Sequence, residues 1–240
     1  MLTKEYNEAL IQDIAGMMNV VAPPKLFMTI PEHFFNTKIR RACEYADIVH
    51  TGQMYGDQPY IKHLTDTYKV FLEFVIQPVY GRESIPVLAG VIDKYQDISC
   101  AIWLHDAIED TGTTFDEIEE HFGTDVASFV NAVSGEGKTR KEKLASIGRK
   151  IEECPDALII KLCDRIANTR SSSQDYYSQP VKGLIDCIGT YDSRDVPEVS
   201  GLFAMYINEF PAFKNTLGGV YSEIGFIQKM WKYLEGISGF

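Results

Sequence analysis

The stretch WLHDAIEDTG (103–112) carries one histidine and three carboxylates between positions 105 and 110, directly after the apolar run ISCAIWL. On a helix of 3.6 residues per turn, His105 and Glu109 stack at i, i+4, and Asp106 and Asp110 do the same one step round. Three carboxylates this close repel one another, so in a partly buried site one of them must take up a proton unless a cation is present. The plainer alternative is a solvated acidic helix end. The preceding run is apolar on all sides and argues against it.

Two other segments carry matching chemistry. In DALIIKLCDRIANTR (156–170), Asp164 lies among Ile159, Ile160, Leu162 and Ile166, and Lys161, Asp164 and Asn168 share one helix face. A buried aspartate of this kind is also explained by an ion pair with Lys161 or Arg165. In YGDQPYIKHL (55–64), Pro59 opens a helix and His63 falls on its first turn between Ile61 and Leu64. Alone, such a histidine is more often a satisfied core or surface residue than a ligand. Together, His63, His105, Asp106 and Asp164 offer two imidazoles and two carboxylates to one divalent ion. That mixed set suits Mn²⁺, Fe²⁺ or Zn²⁺ and leaves positions for water and a phosphate oxygen. Glu109 and Asp110, one turn on, are placed to orient and deprotonate that water, which is metal-assisted hydrolysis with general-base help.

The elements that must position these groups are helical. The periodicity predicts helices over 3–19, over 36–50 from Asn36, and over 60–76. A longer helical pattern covers 87–110, with Lys94–Asp97 as its candidate break. Thr114 followed by Glu117 is a capping-box signature, and Gly123 separates two short helices. KTRKEKLASIGRKIEEC is an amphipathic basic helix ending before Pro155, and 156–170 is a buried helix with a polar stripe. After about residue 172 the pattern is irregular, GLFAMYINEF is expected to stop at Pro211, and IGFIQKMWKYLEGI forms a last amphipathic helix. No long strand signal occurs. The expectation is an all-α chain forming one domain over 1–240.

Lys+Arg 23 against Asp+Glu 34 gives a net charge of −11, which disfavours general nucleic-acid binding. An anionic substrate would then need local cations, and a metal ion is a compact one. Cys43, Cys100, Cys154, Cys163 and Cys187 show no C-x-x-C spacing, against a disulfide framework or a cysteine zinc site. The N-terminus is too polar for a signal peptide and no apolar run spans a membrane, so a reducing cytoplasm is the default. GKT in SGEGKTRKEK invites a P-loop reading, but Ala132 stands where that motif needs glycine. KTRKEK with Arg149 and Lys150 is a solvated helix face or a rim that attracts a phosphorylated substrate. His33, His50 and His121 lack paired partners at useful spacing and read as structural or exposed, and Tyr176, Tyr177 and Tyr191 read as packing.

The order H…HD…D in YIKHL, LHDAIEDT and KLCDRIANTR resembles the HD-domain metal-dependent phosphohydrolases. Within them it is most similar to the hydrolase domain of the Rel/SpoT enzymes and their small stand-alone relatives, which remove the 3′-pyrophosphate from (p)ppGpp. The matching family stretches run G-x-P-Y-I-x-H-P, L-H-D-x-x-E-D-T and K-L-A-D-R-x-x-N-x-R, and the family-like core covers about 36–171. The resemblance implies an HD-domain helical bundle with an irregular C-terminal extension over 172–240. It implies one metal ion, usually Mn²⁺, on His63, His105, Asp106 and Asp164, and water activation by Glu109 and Asp110. It also implies that Tyr60, Arg165, Asn168 and Arg170 lie near a small nucleotide substrate, with an ion-pair role as the alternative for Arg165.

Where longer relatives carry basic residues before the first ligand histidine, this chain has GQMYGDQPY, with Met54, Tyr55 and Asp57, and Leu64 replaces a frequent proline. Three functions therefore stand side by side: a (p)ppGpp hydrolase, a hydrolase of another nucleotide such as a deoxynucleotide phosphate or NADPH, and a nucleotide sensor without catalysis. The segment 172–240 could close the pocket, mediate self-association into a homo-oligomer, or complete the core.

Overall fold

A computed structural model describes residues 32–76, 85–178 and 201–238. In order these form α1 (Glu32–Val49), the antiparallel pair β1 (Met54–Tyr55) and β2 (Gln58–Pro59), and α2 (Ile61–Phe71), which widens into a π-helical turn over Leu72–Ile76. There follow α3 (Ile85–Leu104), the single turn α4 (Ala107–Asp110), α5 (Phe115–Phe122), α6 (Thr124–Val133), α7 (Arg140–Glu153), α8 (Ala157–Ser178), α9 (Gly201–Leu217) and α10 (Gly225–Ser238). The helix expected over 3–19 lies outside the described residues, as do Tyr191 and the side chains of Tyr176 and Tyr177.

α8 is the spine. Leu158, Ile160, Leu162, Cys163 and Ile166 are fully buried around its circumference, and it packs on α2, α3, α6, α9 and α10. A helix apolar on nearly every side has only a central place to go. Its one polar stripe is therefore held inside the protein. α1 lies along α3, where the fully buried Ala42 and Ala46 let the two backbones approach. The expected all-α architecture stands.

Three local expectations are corrected. The long pattern over 87–110 does not break near Lys94–Asp97; α3 runs unbroken to Leu104 and the chain turns at His105–Asp106. Asp106 (φ −99°, ψ −2°) leaves the helical track there, and α4 restarts with Asp110 N–H on the Asp106 carbonyl at 2.8 Å. Secondly, α9 does not stop at Pro211 but continues to Leu217. A proline inside a helix costs roughly 3 kcal/mol. Phe210, Phe213 and Leu217 bury on both sides of it, with Phe213 against Trp231 at 5.5 Å between ring centroids, and this burial outweighs the cost. Thirdly, α8 does not give way to irregular chain near residue 172 but reaches Ser178; the helices expected in GLFAMYINEF and IGFIQKMWKYLEGI are α9 and α10, and residues 179–200 lie outside the described residues.

Thr114 caps α5 as expected, accepting from Glu117 N–H while the Glu117 carboxylate takes Thr114 N–H at 2.7 Å. Thr139 and Glu142 form a second box that starts α7, a T-x-x-E signal also present in the sequence. It places Lys143 on the first turn of α7.

Arg170 fastens α10 to the rest. Its guanidinium meets the Glu73 carboxylate at 2.8 and 3.0 Å, donates to Tyr233 Oη at 2.8 Å, and lies 4.6 Å from the Tyr233 ring centroid. Glu73 is half exposed, so the ion pair is screened and contributes less than its geometry suggests. Arg170→Leu is expected to lower stability by about 1–2 kcal/mol in chemical denaturation, since a cation–π contact and a hydrogen bond are lost.

Candidate metal centre

Helix packing brings the three sequence segments to one point. α2 presents His63 from its first turn, the α3–α4 break presents His105 and Asp106, and α8 presents Asp164 from its middle. Ligand atoms of His63, His105 and Asp164 lie within 4.8 Å of one another, and all three residues are buried. Asp106 joins them, with Oδ2 at 3.5 Å from His63 Nε2 and 3.0 Å from His105 Nε2. Asp164 Oδ1 stands 3.4 and 3.7 Å from the same two nitrogens. The break after Leu104 causes this: it swings Asp106 off the helix face and toward His105.

Each ligand is held from behind. His105 Nδ1–H donates to the Ile102 carbonyl at 2.8 Å, which fixes the tautomer and turns Nε2 inward. That Nε2 is fully buried and has no hydrogen-bond partner among the described residues. An orphaned ring nitrogen aimed at two carboxylates and a second imidazole fits a divalent cation, whose bonds of about 2.0–2.2 Å would bridge these gaps. The His63 ring stacks on Tyr55 (4.8 Å, 19°), and Tyr55 Oη donates to Asn168 Oδ1 at 2.8 Å. Asn168 in turn hydrogen-bonds Asp164 Oδ1. Lys161 Nζ takes the other oxygen, Asp164 Oδ2, at 2.8 Å. The ion pair with Lys161 and the ligand role of Asp164 are thus compatible, one oxygen for each.

Charge coupling is strong. Burial alone would push the His105 ring toward neutrality, but Asp106 and Asp164 outweigh it and raise its pKa to about 10. Burial would raise the Asp164 carboxyl, yet Lys161 and the two imidazoles hold it well below the usual carboxylate range. For Asp106 the same contest is decided by His105 and His63. A metal ion entering this cluster must displace imidazole protons.

The carboxylates flanking the cluster part company. Glu109 turns toward the α6–α7 connection, where Gly135 N–H donates to Oε2 at 2.9 Å and Lys143 Nζ contacts Oε1 at 2.5 Å. Asp110 turns toward the ribbon: Gln53 Nε2 and Tyr60 Oη each lie 3.1 Å from its Oδ2. No described hydrogen bond reaches Asp110 Oδ1, and the residue is exposed.

Of the residues expected near a nucleotide, Tyr60 donates to Asp106 Oδ2 at 2.6 Å, and Asn168 orients Asp164. Arg165 is buried over the Phe213 ring (4.3 Å) and Tyr206 ring (4.9 Å), 3.5 Å from Glu209. Arg170 is not brought to the cluster. Gln53 and Tyr55 are not among the expected site residues, and Lys143 is expected only as part of the basic segment KTRKEK. Gln53 and Tyr55 sit in a loop with no periodicity to mark them, and Lys143 meets Glu109 across 34 positions of chain.

No family model matches the chain. Human guanosine-3′,5′-bis(diphosphate) 3′-pyrophosphohydrolase MESH1 is 34% identical over 167 residues, covering 61% of this chain and 84% of that protein. The guanosine-3′,5′-bis(diphosphate) 3′-pyrophosphohydrolase of Aquifex aeolicus (strain VF5) is 31% identical over 153 residues, 61% of this chain but 19% of that longer protein. Only about a fifth of the long bacterial relative is therefore spanned. A solved structure described as "A metazoan ortholog of SpoT hydrolyzes ppGpp and plays a role in starvation responses" superimposes with TM-score 0.56 at 18% identity, over 85% of this chain and 97% of that one. The helical fold and the convergence of His63, His105 and Asp164 are those of an HD-type helical protein. Within that class, the chain belongs to the family of MESH1-type pyrophosphohydrolases. Among the described residues, no helix is long and apolar enough to cross a membrane.

Proposed function

We propose that this protein is a divalent-metal-dependent phosphohydrolase of a small nucleotide, and that it removes the 3′-pyrophosphate of guanosine 3′,5′-bis(diphosphate). The observation that carries this reading is the convergence of His63, His105, Asp106 and Asp164, with Asp110 offering a free oxygen beside them. Those four residues would hold one metal ion, with Mn²⁺ as the first choice for a mixed N/O set. When bound, the ion supplies charge neutralisation at the phosphate and eases deprotonation of water. Asp110 Oδ1 receives the proton of the attacking water. Glu109, tied to Lys143 and Gly135, fixes the mouth of the site on the other flank.

A cationic pocket supports an anionic substrate. Between α7, α8 and α9 lies a cavity of about 340 Å³, lined by Arg140, Lys143, Lys161 and Arg165 together with Glu109 and Glu209. In a chain of net charge −11, this concentration of cations beside the centre gives phosphates a place to go.

A second reading keeps the chemistry and changes the nucleotide. On the opposite flank a cavity of about 700 Å³ is lined by Glu44, Asp47, Ile48 and Met54 among others, with neither Lys nor Arg in its described lining. That flank favours a substrate whose charge is confined to one end, such as a deoxynucleotide phosphate. Incubating the protein with Mn²⁺ and a panel of ppGpp, deoxynucleotides and NADPH, and identifying the phosphate product, separates these readings. Pyrophosphate released from ppGpp, and abolished by EDTA, is expected. Inorganic phosphate or triphosphate from another nucleotide would replace the substrate, and binding without turnover would replace catalysis by sensing.

A further inference from the structure

The ribbon before α2 contains a side chain whose two ends are both engaged. Gln53 is pinned through its backbone, donating to the His50 carbonyl at 2.9 Å and accepting from Tyr60 N–H at 3.1 Å. Gly56, at φ +61°, allows the tight turn that folds β1 onto β2 and brings Tyr60 back to Gln53. The Gln53 amide then bridges His50 and Asp110. Its Nε2 lies 3.1 Å from Asp110 Oδ2, and its Oε1 lies 2.7 Å from His50 Nδ1.

Elementary hydrogen-bond accounting fixes the direction of this bridge. A carboxylate only accepts, so the amide NH₂ must face Asp110 and the amide oxygen must face His50. That oxygen requires a proton on His50 Nδ1. Burial keeps the His50 imidazole neutral, so Nε2 carries none, and among the described residues it meets no partner. The ring is itself clamped, buried and stacked on Tyr60 at 4.6 Å and 14°. A rigid imidazole thus orients the glutamine amide, and the amide orients the carboxylate.

We infer that Gln53 is a positioning residue for Asp110: it holds Oδ2, backed by His50, so that Oδ1 alone points free toward the attacking water. Tyr60 shares the same Oδ2 but also binds Asp106, a metal ligand, whereas Gln53 touches no ligand of the cluster. The two contacts are therefore separable by experiment. The inference rests on the reading of Asp110 as the proton acceptor in hydrolysis.

The test compares Gln53→Glu and Gln53→Met with wild type on whichever nucleotide of the Mn²⁺ panel turns over. Glu keeps the acceptor toward His50 and replaces the donor toward Asp110 with a second carboxylate. Met keeps length and loses both bonds. A fall in kcat of roughly tenfold or more is expected in both, the scale of one charge-assisted hydrogen bond. KM and Mn²⁺ content should remain at wild-type values, and the protein should stay folded at the assay temperature even where the lost His50 contact lowers the thermal midpoint. Tyr60→Phe, by contrast, should lower kcat and Mn²⁺ affinity together. Unchanged kcat in Gln53→Glu overturns the inference, and so does a kcat loss that parallels lost metal or a fall in the folded fraction at the assay temperature. Absence of turnover by wild type would overturn the hydrolase reading instead, and the positioning role with it.

Discussion

Asp164→Ala is expected to abolish metal binding and hydrolysis in one step. In the proposed centre the carboxylate would serve as a ligand beside His63 and His105, and it is the partner of the partly buried Lys161. Disturbing groups that merely orient ligands costs 10- to 100-fold in metal affinity, so loss of a ligand should cost at least about 100-fold. Truncation also leaves Lys161 without its counter-charge, and breaking one side of a buried pair costs about 3–5 kcal/mol. Asp164→Asn separates the two effects, because it fills the same volume and keeps an acceptor for Lys161. Manganese content after dialysis, phosphate release and a melting curve would be measured on both variants. Metal retained by a folded Asp164→Asn protein would remove this residue from the ligand set.

Asp110→Asn should show the opposite pattern, with metal bound at wild-type level and kcat reduced by roughly 10²–10⁴, the usual contribution of a positioned general base. The carboxylate sits outside the ligand cluster and keeps one oxygen free, so the amide preserves shape while losing basicity. Glu109→Gln should have a smaller effect on the chemical step, since both Glu109 oxygens are already engaged by Lys143 and Gly135. Equal losses of manganese in the two amide variants would contradict this division of roles.

Much of the centre is legible in the chain because its ligands sit inside strongly patterned helices. His63 follows Pro59 on a helix start, and Asp164 interrupts an otherwise apolar spine. A polar residue in such surroundings needs a partner, and that need can be read directly. The ion pair with Lys161 looked like a competing explanation from spacing alone. A carboxylate has two oxygens: in the structure one meets Lys161 while the other faces the imidazoles, and the sequence does not say which partner each one takes. What spacing misplaced was the helix around 105–110. An ideal helix would have left the acidic residues on one stripe, whereas the turn at His105–Asp106 sends Asp106 inward and splits Glu109 from Asp110. Long-range packing decides that turn, and no local propensity reports it. Pro211 failed as a stop signal for the same reason: aromatic burial on both sides of it is invisible one residue at a time. The partners that Arg170 takes, Glu73 and Tyr233, are 97 and 63 positions away, beyond the reach of any spacing rule.

The Lys161 ammonium bears on how this protein would hold the proposed cation. An aspartate walled into a helical core normally makes folding hostage to the metal, as in small zinc modules that collapse under chelation. Here a permanent internal counterweight already rests against one oxygen of Asp164. With that counter-charge in place, the proposed metal could be removed and restored without unfolding the chain, so that its supply would govern activity and not abundance.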